Sequence, residues 1–397
     1  MQKKIIALAI AGLASTAAFA QTNVTIYGVA DATFDSVKAT GSSDGSAADF
    51  KNRNRVTSNS SYIGFKGVED LGNGLKAVFQ FENGVNTDNG AAGVWNNRDS
   101  YVGLAGGFGT LIAGNVTGPT RAMGAKFDVN AGATGIGANT ALLGKLGGGA
   151  GAGAFDQRIN NAIAYVSPTF AGFSGVVGYS TGLTNQVGQS SATAAYVLKG
   201  SESASAGVAN QGNTAWTLGL NYETGPIYAG YAYTGVKAAG NGSLDGDGLV
   251  GGMRKLDNHR AGVMYKAAFG QVGFLFDRAR VDQTDGDDIH QNVYYLSGKF
   301  NVGNGAVLAQ WGHASNVKLD SESLEKTGAN HYVLGYEHNL SKRTVLKAVY
   351  SRIANKDNAA YDYLYGVSAA NSTATNDYFA SAGTNVSGFS FGVRHAF

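Results

Sequence analysis

The chain has 397 residues, with 30 lysines and arginines against 28 aspartates and glutamates, and no cysteine. The near-neutral balance excludes the strongly basic face that nucleic acid requires, and the missing thiols exclude a disulfide framework and a thiolate metal site. Glycine, tyrosine and phenylalanine number 59, 20 and 19 while proline occurs three times, a bias that suits long strands with few places for a missing N–H.

The first twenty residues read as a secretory leader. Lys3 and Lys4 precede an apolar run from Ile5 to Ala11, and Ala18-Phe19-Ala20 fits the small-residue cleavage pattern. The run is too short to cross ~30 Å of hydrocarbon. Residues 21–397 then show no linker, charge block or shift of composition, so they form one domain.

From there period-two alternation recurs to the last residue. Leu75, Ala77, Phe79 and Phe81 oppose Lys76, Val78, Gln80 and Glu82; Trp216, Leu218, Leu220 and Tyr222 oppose Thr217, Gly219 and Asn221; Phe389, Phe391 and Val393 oppose Ser390, Gly392 and Arg394. The expected strands centre on 24–36, 53–68, 75–84, 97–105, 108–116, 158–167, 172–180, 214–223, 227–236, 258–267, 270–281, 290–301, 305–315, 330–339, 343–353 and 385–397. Most run about 9–13 residues, the length of a tilted membrane strand, where soluble strands average nearer 5–6.

Short and long connections alternate. Asp70-Leu71-Gly72-Asn73-Gly74, Thr224-Gly225-Pro226 and Val302-Gly303-Asn304 are short; stretches near 117–156, 181–212 and 354–384 are long and rich in small polar residues. Tight turns on one side and long loops on the other mark an outer-membrane barrel, and an even strand count lets every edge close. The expected fold is all-β: a 16-stranded antiparallel transmembrane β-barrel with an aqueous lumen, which places the chain in the cell outer membrane and in contact with its lipid.

The ordered motifs add a family. Val24-Thr25-Ile26-Tyr27-Gly28-Val29-Ala30-Asp31, the stretch from Ile63-Gly64-Phe65-Lys66-Gly67 to Phe79-Gln80-Phe81-Glu82, Tyr101-Val102-Gly103-Leu104, Phe108-Gly109-Thr110-Leu111, the segment from Asn161 to Pro168 and terminal Arg394-His395-Ala396-Phe397 together resemble the trimeric general porins of β-proteobacteria and Neisseria-like bacteria. The resemblance covers essentially all of residues 21–397. It implies a homotrimer that passes small hydrophilic solutes and inorganic ions by passive diffusion, with no cofactor and no catalysis. It also implies a third external loop, about 117–157, folded into the barrel as a constriction, and a C-terminal Phe397 read by the outer-membrane insertion machinery.

Strand parity nominates the pore residues. With Ile63 and Phe65 facing out, Tyr62, Gly64 and Lys66 face in; with Ile159, Asn161, Ile163 and Tyr165 out, Arg158 and Asn160 face in. Arg158 stands where the family pattern carries a pore arginine. Arg98 has the wrong parity. The loop contributes Arg121, Lys126 and Asp128, the last being its only central acid, beside a small and nearly featureless Leu146–Ala154 run. Tyr62 and Asn115 occupy positions where related porins usually carry arginine, so the expected pore is weakly selective, with a modest anion preference if Arg158 dominates.

Rival readings are a barrel enzyme, a soluble secreted β-protein and a substrate-specific porin. The first needs a catalytic cluster, which the spacing of residues does not display. The third needs lumen-lining aromatics, whereas most here fall on the outward parity. His259, His290, His313, His331, His338 and His395 lack ligand spacing, so no metal site is expected and interface or solvent positions are. Asp245-Gly246-Asp247-Gly248 and Asp285-Gly286-Asp287-Asp288 read as loop turns.

Overall fold

The computed structural model describes residues 23–43, 49–88, 97–149, 156, 158–183, 213–242, 253–283, 288–363 and 382–397. The leader, the Asp245 and Asp285 turns and most of the Leu146–Ala154 run lie outside these residues.

Sixteen antiparallel strands close on themselves. They are β1 (Asn23–Thr40), β2 (Phe50–Ser58 and Tyr62–Gly72), β3 (Leu75–Gly84), β4 (Ser100–Gly106), β5 (Gly109–Thr117), β6 (Arg158–Val166), β7 (Phe173–Leu183) and β8 (Asn213–Thr224). Then follow β9 (Ile227–Gly242), β10 (Met253–Ala267), β11 (Gly270–Gln283), β12 (Ile289–Val302), β13 (Gly305–Ala314), β14 (Ala329–Asn339), β15 (Thr344–Asn355) and β16 (Asn385–Ala396). Each pairs with its sequence neighbour, and β1 meets β16 from Val29 against Ala396 to Thr40 against Asn385. Gly28 and Phe397 exchange two backbone hydrogen bonds of 3.2 and 3.1 Å, so the last residue completes the seam. With no free edge, every strand N–H and C=O can pair at membrane depth.

The hairpin turn between β2 and β3 shows why sequence and turn agree. Gly72, Asn73 and Gly74 all adopt positive φ (86°, 53° and 78°), the region open to Gly and tolerated by Asn.

Side chains divide as the alternation requires. Leu220 is 50% and Phe391 55% exposed on the outer wall, while Thr217 and Ser390 of the same strands are buried inside. Exposed apolar groups recur around the cylinder at Ile26, Phe81, Val102, Ile163, Val263, Leu296 and Leu334, whereas Asp31, Asp35, Asn258, Arg260 and Asp277 are buried within. A water-soluble protein reverses this arrangement; hydrocarbon outside and polar groups within suit a membrane barrel. Among the described residues no helix is long and apolar enough to cross a membrane.

Three local departures correct the sequence reading. The second strand is not continuous: after Ser58 pairs with Ala32 the ladder breaks at Asn59–Ser61, Ser60 takes a φ of 57°, and pairing resumes at Tyr62 against Val29. In β6, Asn161 has a φ of 48° and the register slips between Gly114 and Val116. That bulge reverses the parity on its two sides, so Ile163 faces out as expected but Ile159 is 4% exposed, packed with Leu146, Ala215 and Leu256. His331, expected at an interface or in solvent, is buried, bonded to the Tyr295 hydroxyl at 3.0 Å and the Ser351 hydroxyl at 2.9 Å.

Candidate functional site

The chain between β5 and β6 folds into the barrel. Its first part is a helix, α1 (Pro119–Phe127), opened by proline at the first turn, where no N–H is missed. Phe127 and Met123 point to the wall, and the wall opposite is made of glycine. A Cβ added at Gly262 would lie 2.4 Å from the Phe127 ring, and one at Gly230 would lie 2.8 Å from Met123 Cε. Ile136, Leu142 and Leu143 extend the contact to Leu275, Tyr295 and Ile353, giving the loop its own apolar core inside a polar lumen. Gly219 belongs to the same track, since its Cβ would sit 3.1 Å from Pro119.

A buried charge cluster fastens this loop. Arg260 of β10 is fully buried; its Nε donates to Asp277 Oδ1 at 2.7 Å and its Nη1 to Asp156 Oδ1 at 2.8 Å and to the Thr120 carbonyl at 2.7 Å. Farther along, Lys145 Nζ donates to the Asp362 carbonyl at 2.6 Å, and a short parallel bridge joins Gly148 and Gly149 to Ala360 and Tyr361. The segment after β15 thus reaches the inward loop, with Tyr361 and Tyr363 buried beside it.

Asp128 and Lys126 serve the loop rather than the passage. Asp128 is buried and accepts the Asn130 and Asn139 backbone N–H groups at 2.8 and 2.6 Å. Burial outweighs those bonds and pushes its carboxyl up to about 6. Lys126 pairs with Glu223 at 3.1 Å and lies 3.7 Å from the centroid of the Tyr228 ring. Neither lines the cavity described below. Lys66 lies in the lumen over the Tyr27 ring (4.8 Å) but also outside that cavity, as does Asn160, whose carbonyl accepts the Ser180 hydroxyl at 2.7 Å.

The cavity left between loop and wall has a volume of about 340 Å³, near the lower end of small-molecule sites (roughly 300–1,000 Å³). Tyr62, Arg121 and Arg158 line it, together with Glu82, Arg98, Asp99 and Asn59, which the sequence reading did not nominate; Arg158 does so although the bulge turns its neighbour Ile159 inward, so strand parity does not account for its place. Arg98 stacks over Tyr62 at 4.3 Å and donates from Nε to Glu82 at 3.2 Å. Arg158 Nε donates to Asp99 at 2.8 Å, and the Thr117 hydroxyl donates to the same carboxylate at 2.7 Å. Tyr27 donates to Glu82 at 2.9 Å, its ring accommodated because residue 64 is glycine. Arg121 donates to the Asp156 carbonyl.

Burial, and after it the neighbouring Arg158 guanidinium, lowers the pKa of both Arg98 and Arg121 from the ordinary arginine value. Arg98 escaped the parity rule because 97–99 precede β4 and belong to no ladder. Its acidic partners sit on the wall, not on the loop where an acid was sought. The site has charge, hydrogen-bond donors and room for a small hydrated solute, features that fit passage.

Comparison with known proteins agrees with this geometry. The family model described as Gram-negative porin matches residues 7–358. Outer membrane porin protein 32 of Delftia acidovorans is 31% identical over 402 residues, covering all of both chains, and major outer membrane protein P.IB of Neisseria gonorrhoeae is 30% identical, covering 87% of this chain and 91% of its own. Among solved structures, the anion-selective porin from Comamonas acidovorans superposes with a TM-score of 0.70 at 27% identity, covering 95% of this chain and all of the other. In fold alone, the trimer form of OmpT from Vibrio cholerae matches with a TM-score of 0.63 at 14% identity over 95% and 99% of the two chains. The chain belongs to the Gram-negative porin family and forms a passive channel in the outer membrane.

Proposed function

We propose that each protomer of a homotrimer conducts small hydrophilic solutes and ions past the cavity between the inward loop and the wall, with a modest preference for anions. One observation carries this reading: three guanidinium groups (Arg98, Arg121, Arg158) share the cavity between loop and wall with two carboxylates (Glu82, Asp99), leaving one formal positive charge there. A single surplus charge in a narrow, partly dehydrated zone biases entry without excluding the opposite sign. Tyr62 and Asn115 stand where further arginines would strengthen the field, which favours weak selectivity. The Comamonas relative named for anion selectivity supports the sign, and the trimeric Vibrio neighbour supports the assembly.

Residues 1–20 serve as the leader in this proposal, and Phe397, exposed on the outer wall at the barrel seam, as the mark read by the insertion machinery. The test of the sign is the reversal potential in a salt gradient across a planar bilayer. Wild type should favour chloride modestly, and Arg158→Ala should bring the potential toward zero. Strong cation preference would rule the proposal out.

A further inference from the structure

The outer wall of β11 to β15 carries two features that passage through the lumen does not use. On β11, Leu275, Asp277 and Ala279 are buried inside, as are Gln291, Val293 and Tyr295 on β12. Phe274, Arg278 and Arg280 therefore share the outer face with His290, Asn292, Tyr294 and Leu296. Strand register gathers the cations at the external end of that face. His290 lies directly across from Arg280 on one side and from exposed Lys318 on the other, and Arg278 Nη1 donates to Asn292 Oδ1 at 3.4 Å. Residues paired across a ladder stand about 4.5–5.5 Å apart, so the three cationic side chains surround one patch. Arg280 pairs with Asp288, Lys255 holds Asp257 at 2.9 Å, and Asp282 lies two residues beyond Arg280; among the described residues Arg278 and Lys318 form no ion pair. Below the patch, on the same face, lies an apolar groove of about 550 Å³ between Leu296, Phe300, Trp311 and Leu334, left open by Gly298 and Ala309. Strand β12 runs through both, with about 13 Å of extended chain between Asn292 and Leu296. At the junction Tyr294 and Trp311 each stack on His313, with centroids 6.4 and 6.0 Å apart, the aromatic level that marks a membrane–water boundary.

We infer that this face holds one phosphate-bearing lipid of the outer leaflet, its phosphate among Arg278, Arg280 and Lys318 and an acyl chain in the groove. Charge decides the occupant. Hydrocarbon of any lipid can fill an apolar groove, but two cations without ion-pair partners at the headgroup level select an anionic head. Guanidinium groups match phosphate oxygens in paired geometry, and Arg280 keeps N–H groups beyond the one given to Asp288. Free phosphate would meet the cations and leave the groove unused; a neutral lipid would fill the groove and leave the cations unmet.

Trp311 reports the groove. With Trp95→Phe and Trp216→Phe the full chain keeps one tryptophan, and it is folded into phosphatidylcholine vesicles holding a small fraction of lipid with brominated chains, which quench indole on contact. Brominated phosphatidic acid should quench Trp311 at a several-fold lower mole fraction than brominated phosphatidylcholine. Adding Arg278→Gln and Lys318→Gln should remove that preference, while the heat-modified gel shift shows a folded barrel. A companion chain keeping Trp216 alone, exposed on β8, should show no preference. Equal quenching of Trp311 by the two lipids would overturn the inference, as would a preference that survives the double substitution or that recurs at Trp216, which is charge attraction without a site. Absence of quenching by either lipid would overturn it too, because a neighbouring protomer would then cover the face.

Discussion

Replacing Arg260 with methionine should free the inward loop while leaving the barrel standing. The guanidinium is fully buried between Asp277 on β11 and Asp156 on the loop, with Thr120 of α1 as a further acceptor. Methionine fills most of the volume but leaves two buried carboxylates without their cation. Asp277 keeps donors from Asn258 at 2.9 Å and Gly144 at 3.3 Å, so Asp156 bears more of the loss. Removing one partner of a buried ion pair costs about 3–5 kcal/mol. The ladder is indifferent, because β10 keeps its backbone pairing with β9 and β11. The loss therefore falls on the loop, which carries Asp156 and α1. Single-channel recording should show larger, noisier conductance, while the heat-modified gel shift of the folded barrel persists. Adding Asp156→Asn to the methionine variant should recover part of the quiet conductance. Unchanged conductance and noise in Arg260→Met would refute the anchor reasoning.

Further outcomes follow from the same geometry. Phe127→Ala should loosen α1 by about 3–5 kcal/mol, as for other large buried aromatics, read as faster proteolysis at the loop; Gly262→Leu should displace the same helix, because Phe127 occupies the space a Cβ would need. Leu220→Arg should destabilise the folded barrel by ~2–4 kcal/mol if that exposed position lies at the bilayer midplane, measured by urea unfolding in lipid vesicles. Asp128 titrates near 6 in the folded loop, above its ordinary value of 3.8. The native state thus holds the proton more tightly, so the loop gains stability as pH falls from above 6 toward 4. Open-channel noise should then be lower at pH 5 than at pH 7.5, and higher noise at pH 5 would contradict the assignment.

The barrel was legible because one physical rule governs most of it. Alternation placed Trp216, Leu220, Phe389 and Phe391 outward and Thr217 and Ser390 inward, and the Gly72-Asn73-Gly74 turn announced its own backbone. What escaped was wherever the ladder is interrupted. The bulge at Asn161 turned Ile159 inward, the break at Asn59–Ser61 brought Asn59 to the cavity wall, and Arg98 lay just ahead of its strand, where parity has no meaning.

The loop misled for a different reason. Its charges suggested a charged constriction, but Asp128 and Lys126 are used to fold and fasten it. The glycines at 219, 230, 262 and 273, which read as strand residues of small size, form the seat for α1. That pairing joins segments more than ninety residues apart, and period-two analysis of one strand at a time does not contain it. A run of glycines at matching height on adjacent strands is the signal that would have shown it, once the strand register is known.

The most direct test of the central claim exploits the absence of cysteine. Single cysteines at Lys66 on β2 and at Gln80, Phe79 and Phe81 on its partner β3 would sample both faces of this hairpin. Each channel would be recorded before and after a charged, membrane-impermeant thiol reagent. The water-filled barrel described above predicts a stepwise fall in conductance at 66 and 80 and none at 79 and 81. Equal modification on both parities, or a response only at 79 and 81, would contradict a wall that divides lipid from water.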